Sequence, residues 1–462
     1  MDDLVRRGAV EVTGLLARGD VSPQELLTVL EARIAEVDPA VNALPTLCFD
    51  RARSARPAAP LHGLPVAIKD LTPTAGVRTT FGSTIYADHI PEADGHLAER
   101  VEASGGAIYA KSNTPEFGAG AQTFNAVFGP TRNPWNTALT PAGSSGGAAV
   151  ALRTGMAWLA HGSDLGGSLR NPASFCGVVG LRPAPGRVPR GPAADPWGSL
   201  SVDGPMGRTV ADTALFLDAL SGADPREALS LPRPDTAFLA AAQSPRLPRR
   251  VAFSPDLGGL TPVDPEVAAI CAAAARRFEA LGVAVEEASP DFPGAHGTFQ
   301  TLRALGFATG HADHLRDHRD KLKGSVIWNT EKGLGLTGAE VGRALRHRGV
   351  LMARMRAFMQ TYDLLLSPAT IVPPFPVEQE HVTECAGVTF ETYIDWLAIA
   401  YAITLTAHPA LSLPCGFTAS GLPVGLQLVG GWQGEAALLS AAAALEADLG
   451  LDPTPIDPRG PT

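Results

Sequence analysis

Three short apolar runs limit what this chain can fold into. LPVAIKDL (64–71), GAIYAKSN (106–113) and MAWLAHGSD (156–164) each read as a buried strand, and helical patterns such as AAVALRTG (148–155) fall between them. The same alternation resumes with RVAFSP (250–255), an Ala-rich helix near 265–281 and VAVEEA (283–288). Strands that alternate with helices predict an α/β sheet with helices on both faces. The first 40 or so residues read as helices; in VSPQELLTVLEARIAEVD, Ser22 is placed to cap and Pro23 to open the helix. Residues 225–250 look like a surface excursion, 290–400 are more helical and less regular, and LSLPCGF and GLPVGLQLVG look like late strands before a C-terminal helix.

Composition excludes several function classes. The 462 residues carry a formal net charge of −10 with no long basic run, which argues against nucleic acid or an anionic membrane as the main partner. No apolar run is long enough to span a bilayer, and the N-terminus lacks the apolar stretch of a signal peptide. Five scattered cysteines without a CxxC pair indicate neither a disulfide framework nor a zinc site, so a reduced, cytoplasmic setting is expected.

Only five of the 37 cationic residues are lysines, so a lysine in an apolar run asks for a reason. Lys69 follows Val66, Ala67 and Ile68. Burial there would lower its pKa and make it a usable base, unless it reaches solvent or pairs with Asp70. GSSGG (143–147) matches the nucleophile-elbow pattern with Ser145 at its centre. The proline-containing NPWNTALTPA before it makes a poor strand, and a turn capping the next helix is the alternative. GSDLGGSLRNP (162–172) follows an apolar strand, where α/β enzymes place their sites, and two glycines before Ser168 make an oxyanion hole stereochemically possible. An ordinary Gly/Ser loop is the competing reading. His311, His314 and His318 recur at helical spacing, but Arg316, Arg319 and Asp320 beside them read as a solvated face, so no metal site is expected.

Taken together, these segments resemble the amidase signature family. The resemblance rests on GLPVAIKDL (63–71), NPWN (133–136), GSSGGAAVAL (143–152), GSDLGGSLRNP (162–172) and FCGVVGLRP (175–183), with a C-terminal part near 408–430. The spacing of 24 residues between Ser144 and Ser168 also fits, while Ala142 stands where the family usually has a glycine. The resemblance implies an α/β amidase signature fold: a mixed central β-sheet flanked by many α-helices. That is one domain over 1–462, with a helical part at 1–58, the signature core at 60–225, a variable part at 226–400 and C-terminal strands and helix from 401. It further implies Ser168 as nucleophile, Ser144 as a bridging serine in a cis peptide and Lys69 as base. The backbone N–H groups of Leu165, Gly166, Gly167 and Ser168 would hold the oxyanion, with Ser145, Asp164 and Arg170 in support and no cofactor or metal.

The expected activity is hydrolysis of an amide, anilide or carbamate through an acyl-enzyme, by a monomer or homodimer acting on a small molecule. The alternatives are the glutaminase component of a tRNA-dependent amidotransferase and a non-catalytic scaffold of the same fold. Two segments are expected to line an apolar pocket: 115–136, with Phe117, Phe124, Phe128 and Trp135, and the acid-free stretch Trp396, Leu397, Ile399, Tyr401, Ile403 before Pro409.

Overall fold

The computed structural model describes residues 2–461. Among them, eleven strands join in one mixed sheet. In chain order the strands are β1 (Thr46–Leu47), β2 (Pro65–Lys69), β3 (Ala107–Ser112), β4 (Leu159–Asp164), β5 (Val179–Arg182), β6 (Val202–Gly207), β7 (Arg250–Phe253), β8 (Ala284–Glu287) and β9 (Leu364–Pro368). A small hairpin, β10 (Glu384–Cys385) with β11 (Val388–Thr389), stands apart, and β12 (Ala410–Phe417) and β13 (Pro423–Val429) complete the set. The order across the sheet is β1-β3-β2-β4-β6-β5-β12-β13-β9-β7-β8. β2 runs parallel to both β3 and β4, and β7 parallel to both β8 and β9, while the middle of the sheet is antiparallel.

In β7 and β9 successive strand residues face two different cores, as the pleat requires. In β9, Leu364 and Leu366 join the larger cluster, with helices that include Pro23–Val41, Val210–Leu220 and Pro265–Ala280. Leu365 faces the other way, into the cluster formed with Ala295–His318, Gly338–Phe358 and Ala398–Thr406. Both faces of the sheet are therefore covered. Ser22 caps its helix by accepting from the Glu25 N–H while the Glu25 side chain accepts from the Ser22 N–H, with Pro23 at the first turn, as expected. β5, β6, β9 and the helix Val210–Leu220 carry no clear pattern in the sequence and appear only in the fold. No helix of the described residues is long and apolar enough to cross a membrane.

Candidate active site

The site forms where β2 and β4 end side by side. Lys69 is the last residue of β2 and Asp164 the last of β4, so the sheet delivers both at its carboxyl edge, where open α/β sheets hold their ligands. Lys69 is fully buried and does not pair with Asp70, whose carboxylate instead accepts from the Thr80 hydroxyl and N–H. The Lys69 Nζ is ringed by three serine hydroxyls: Ser144 at 2.7 Å, Ser145 at 2.9 Å and Ser163 at 3.0 Å. Burial pushes its pKa down from 10.5 to about 7. The carboxylates of Asp203 and Asp164 pull the other way without overcoming that burial.

GSSGG is a turn and not an elbow, because among the described residues no strand lies between β3 and the helix Gly146–Arg153. The peptide between Gly143 and Ser144 is cis, and the helix Gly146–Arg153 starts directly after it. Ala142 sits at φ 59°, a left-handed conformation that favours glycine over a residue with a Cβ. The Ser145 N–H donates to the Ser168 carbonyl at 3.2 Å, which ties this turn to the loop after β4. Ser144 and Ser168 open onto one cavity of about 560 Å³. The Ser168 hydroxyl makes no hydrogen bond to another described residue.

The loop after β4 is shaped by Asp164. Its carboxylate accepts from the N–H groups of Gly167 (2.9 Å) and Leu169 (3.1 Å) and from Arg170 at 2.9 and 3.0 Å, and Arg182 stands 3.3 Å away. Burial opposes ionisation of this carboxyl, but the two guanidinium groups outweigh it and hold its pKa well below the usual range. Arg170 also donates to the Ala400 carbonyl (2.9 Å) and to Thr404 Oγ1 (3.2 Å), which anchors the loop to the helix Ala398–Thr406. The expected oxyanion hole is thereby corrected. The Gly167 N–H is committed to Asp164, whereas those of Leu165, Gly166 and Ser168 donate to no described residue. Gly167 has another role: at φ 109°, a Cβ there would lie 2.5 Å from Asn171 Oδ1 and 2.7 Å from Ala400 Cβ.

Three groups near Lys69 escape sequence reasoning. Ser163 is hidden inside the loop motif. His161 and Asp203 lie 3.2 Å apart, and Asp203 pairs with Ser163 across β6 and β4. The run VDGPMG that carries Asp203 has two glycines and a proline, so nothing local marks it as a strand. A second buried lysine, Lys111, also finds its reason here. It donates to the Thr72 carbonyl and to Thr74 Oγ1, clamping the loop that leaves β2, and burial lowers its pKa to about 8.

The cavity wall differs from expectation. Of the first aromatic set only Phe117 lines it. Phe124 lies under the Lys323 Nζ, Phe128 under Arg78, and Trp135 packs on Phe417 while donating to the Cys176 carbonyl. Of the second set only Leu397 reaches the cavity. Trp396, Ile399, Tyr401 and Ile403 are core, with Tyr401 stacked at 4.1 Å on the lining residue Phe299. A loop over 190–201, which includes the exposed Trp197, and Asp203 of β6 form much of the remaining wall. The histidine face is not solvated throughout. His311 lines the cavity, packs on Phe117 and lies 3.2 Å from His314, and burial lowers its pKa to about 4.

Comparison with known proteins identifies the family. Residues 25–439 match the profile of the family described as Amidase. This chain belongs to the amidase signature family. The amidase is 38% identical to an acylamidase of Rhodococcus erythropolis over 95% of its own length and 94% of that protein. It is 36% identical to a glutamyl-tRNA(Gln) amidotransferase subunit of Thermus thermophilus, over 95% and 96% of the two chains. The amidase also superposes on a bacterial aryl acylamidase of the amidase signature enzymes with a TM-score of 0.90 at 26% identity, covering 96% of each chain. The fold is the amidase signature fold, and the chain is a hydrolase of that family.

Proposed function

We propose that the protein is a stand-alone amidase that cleaves hydrophobic amides, anilides or carbamates through an acyl-enzyme on Ser168. The observation that carries this is the 2.7 Å contact between Lys69 Nζ and Ser144 Oγ in a fully buried place, beside a cavity that Ser168 shares. A neutral amine has two N–H donors and one lone pair. Ser145 and Ser163 accept the donors, which leaves the lone pair to take the Ser144 proton as Ser144 takes that of Ser168. The free N–H groups of Leu165, Gly166 and Ser168 would receive the oxyanion of the tetrahedral intermediate. Collapse expels the amine, which takes back the proton held on Lys69 through Ser144; water, deprotonated by the same relay, then attacks the acyl-enzyme and releases the acid.

Ser168→Ala should remove turnover and labelling by a fluorophosphonate, with the fold intact. Labelling at Ser145 instead would overturn the assignment. The likeness to an amidotransferase component keeps a glutaminase reading in play. Against it, Trp396–Thr406 is wholly apolar or neutral and offers no carboxylate for the α-ammonium of glutamine. A panel of glutamine, acetamide, an aryl amide, an anilide and a carbamate separates the readings: glutamine as best substrate would reverse the order.

A further inference from the structure

The cavity holds a guanidinium with nothing to bind. Arg303, on the helix Ala295–His318, is 7% exposed and lines the cavity. It forms no ion pair and no hydrogen bond with any described residue, and its Nη1 is sealed from solvent without an acceptor. Its neighbours of note are aromatic: the Phe307 ring at 4.4 Å and the Tyr393 ring at 5.4 Å from its central carbon. Rings stabilise the cation over their faces but cannot accept from its N–H edge as an oxygen does. A buried cationic donor without a partner is costly, and native proteins rarely keep one without use.

The other cations of the wall are better served. Arg190 stands 3.7 Å from Asp203, and Arg348 donates to Ser199 Oγ and to the Leu405 carbonyl. Among the described arginines of the wall, Arg303 alone has neither an ion pair nor a side-chain hydrogen bond. It also lies one helical turn beyond Phe299, whose ring edge is 3.2 Å from where a Cβ on Gly166 would be. One turn is about 6 Å, the reach of a short methylene spacer, and the same cavity wall carries Leu302 and Phe307.

We propose that Arg303 recognises an anionic tail, so that the preferred substrates are amides joined through a short apolar spacer to a carboxylate. The proposal rests on the amidase reading and names its substrate class. A guanidinium takes a carboxylate in a paired, charge-assisted hydrogen bond, which neutral substrates of the same size cannot supply.

Two matched pairs test it. On the acyl side, hexanoyl 4-nitroanilide is compared with adipoyl mono-4-nitroanilide; on the amine side, N-benzoyl pentylamine with N-benzoyl-5-aminopentanoate. For at least one pair the carboxylate member should show the higher kcat/KM, by about 10- to 100-fold. That ratio should collapse in Arg303→Gln and survive in part in Arg303→Lys. Equilibrium binding of the uncleaved compounds to Ser168→Ala should follow the same ratio and weaken with added salt. A wild-type ratio near one in both pairs would overturn the proposal, as would an unchanged ratio in Arg303→Gln. Should that variant not fold, the Lys variant and the wild-type ratio decide. If no compound is cleaved, the amidase reading falls, and the binding ratio still decides the role of Arg303.

Discussion

The pH dependence of turnover is where the buried lysine should show itself. Free lysine titrates near 10.5, and burial brings Lys69 to about 7, a bias of roughly 5 kcal/mol toward the neutral amine. At pH 8 about nine in ten molecules then carry a usable base, against about three in a thousand for an unshifted lysine, a gain of about 300-fold. Because the neutral form is the active one, kcat/KM should climb about tenfold per pH unit below 7 and level off above it. Initial rates of 4-nitroaniline release between pH 5 and 10, in buffers of constant ionic strength, measure the limb. Asp203 is the largest influence holding the proton on Lys69, so Asp203→Asn should move the limb to lower pH. A profile that is flat through 7, or whose limb begins only above 9, would refute the reasoning. A limb shifted upward in Asp203→Asn would refute the electrostatic part alone.

Lys69→Arg should lower kcat/KM by about 10²–10⁴-fold or more across the whole pH range, since a guanidinium stays protonated; stopped assays at pH 7 and 10 check it. Asp164→Asn leaves Arg170 and Arg182 buried without their counter-charge, which should cost about 3–5 kcal/mol and on the order of 3–5 °C in calorimetry of a chain this long. Ala142→Gly should raise the urea midpoint by an amount worth up to ~1 kcal/mol, because glycine bears the φ of 59° without a Cβ penalty; a lower midpoint would contradict this. Gly167→Ala should abolish activity and cost about 1–3 kcal/mol of stability in urea unfolding, because a Cβ there meets the buried Asn171 and Ala400 and must displace the loop that carries Ser168.

What could be read from the sequence divides by range. β2, β3 and β4 announce themselves because their residues are apolar in unbroken runs. Lys69 stands out because it ends such a run and Ser168 because two glycines precede it, whereas the turn pattern by itself points to Ser145 and only the family resemblance singles out Ser144. Asp203 and His161 escape notice because they meet only once β6 pairs antiparallel with β4, a relation between segments about 40 residues apart that no local pattern encodes. The cavity wall fails for another reason. Phe117 and Trp135 look alike as aromatic residues in a loop, yet one faces the cavity and the other packs on Phe417. Phe117 faces the helix Ala295–His318, while Trp135 packs against β12, and both placements follow from tertiary packing and not from periodicity. Arg303 is invisible for the same reason: its isolation is a property of its surroundings.

The strand order also bears on how the chain is made. β12 and β13, near the C-terminus, lie between β5 and β9 in the middle of the sheet. A growing chain that has left the ribosome only as far as residue 400 therefore holds two partial sheets, each with an unpaired edge at the place where the other half belongs. Open edges invite pairing with strangers, and contacts so distant in sequence form late. Arg170, whose contacts to Ala400 and Thr404 brace the loop that carries Ser168, also waits for that last stretch. Synthesis of the closing C-terminal stretch is thus the moment at which the two halves stop being sticky intermediates and the loop that carries Ser168 acquires its shape.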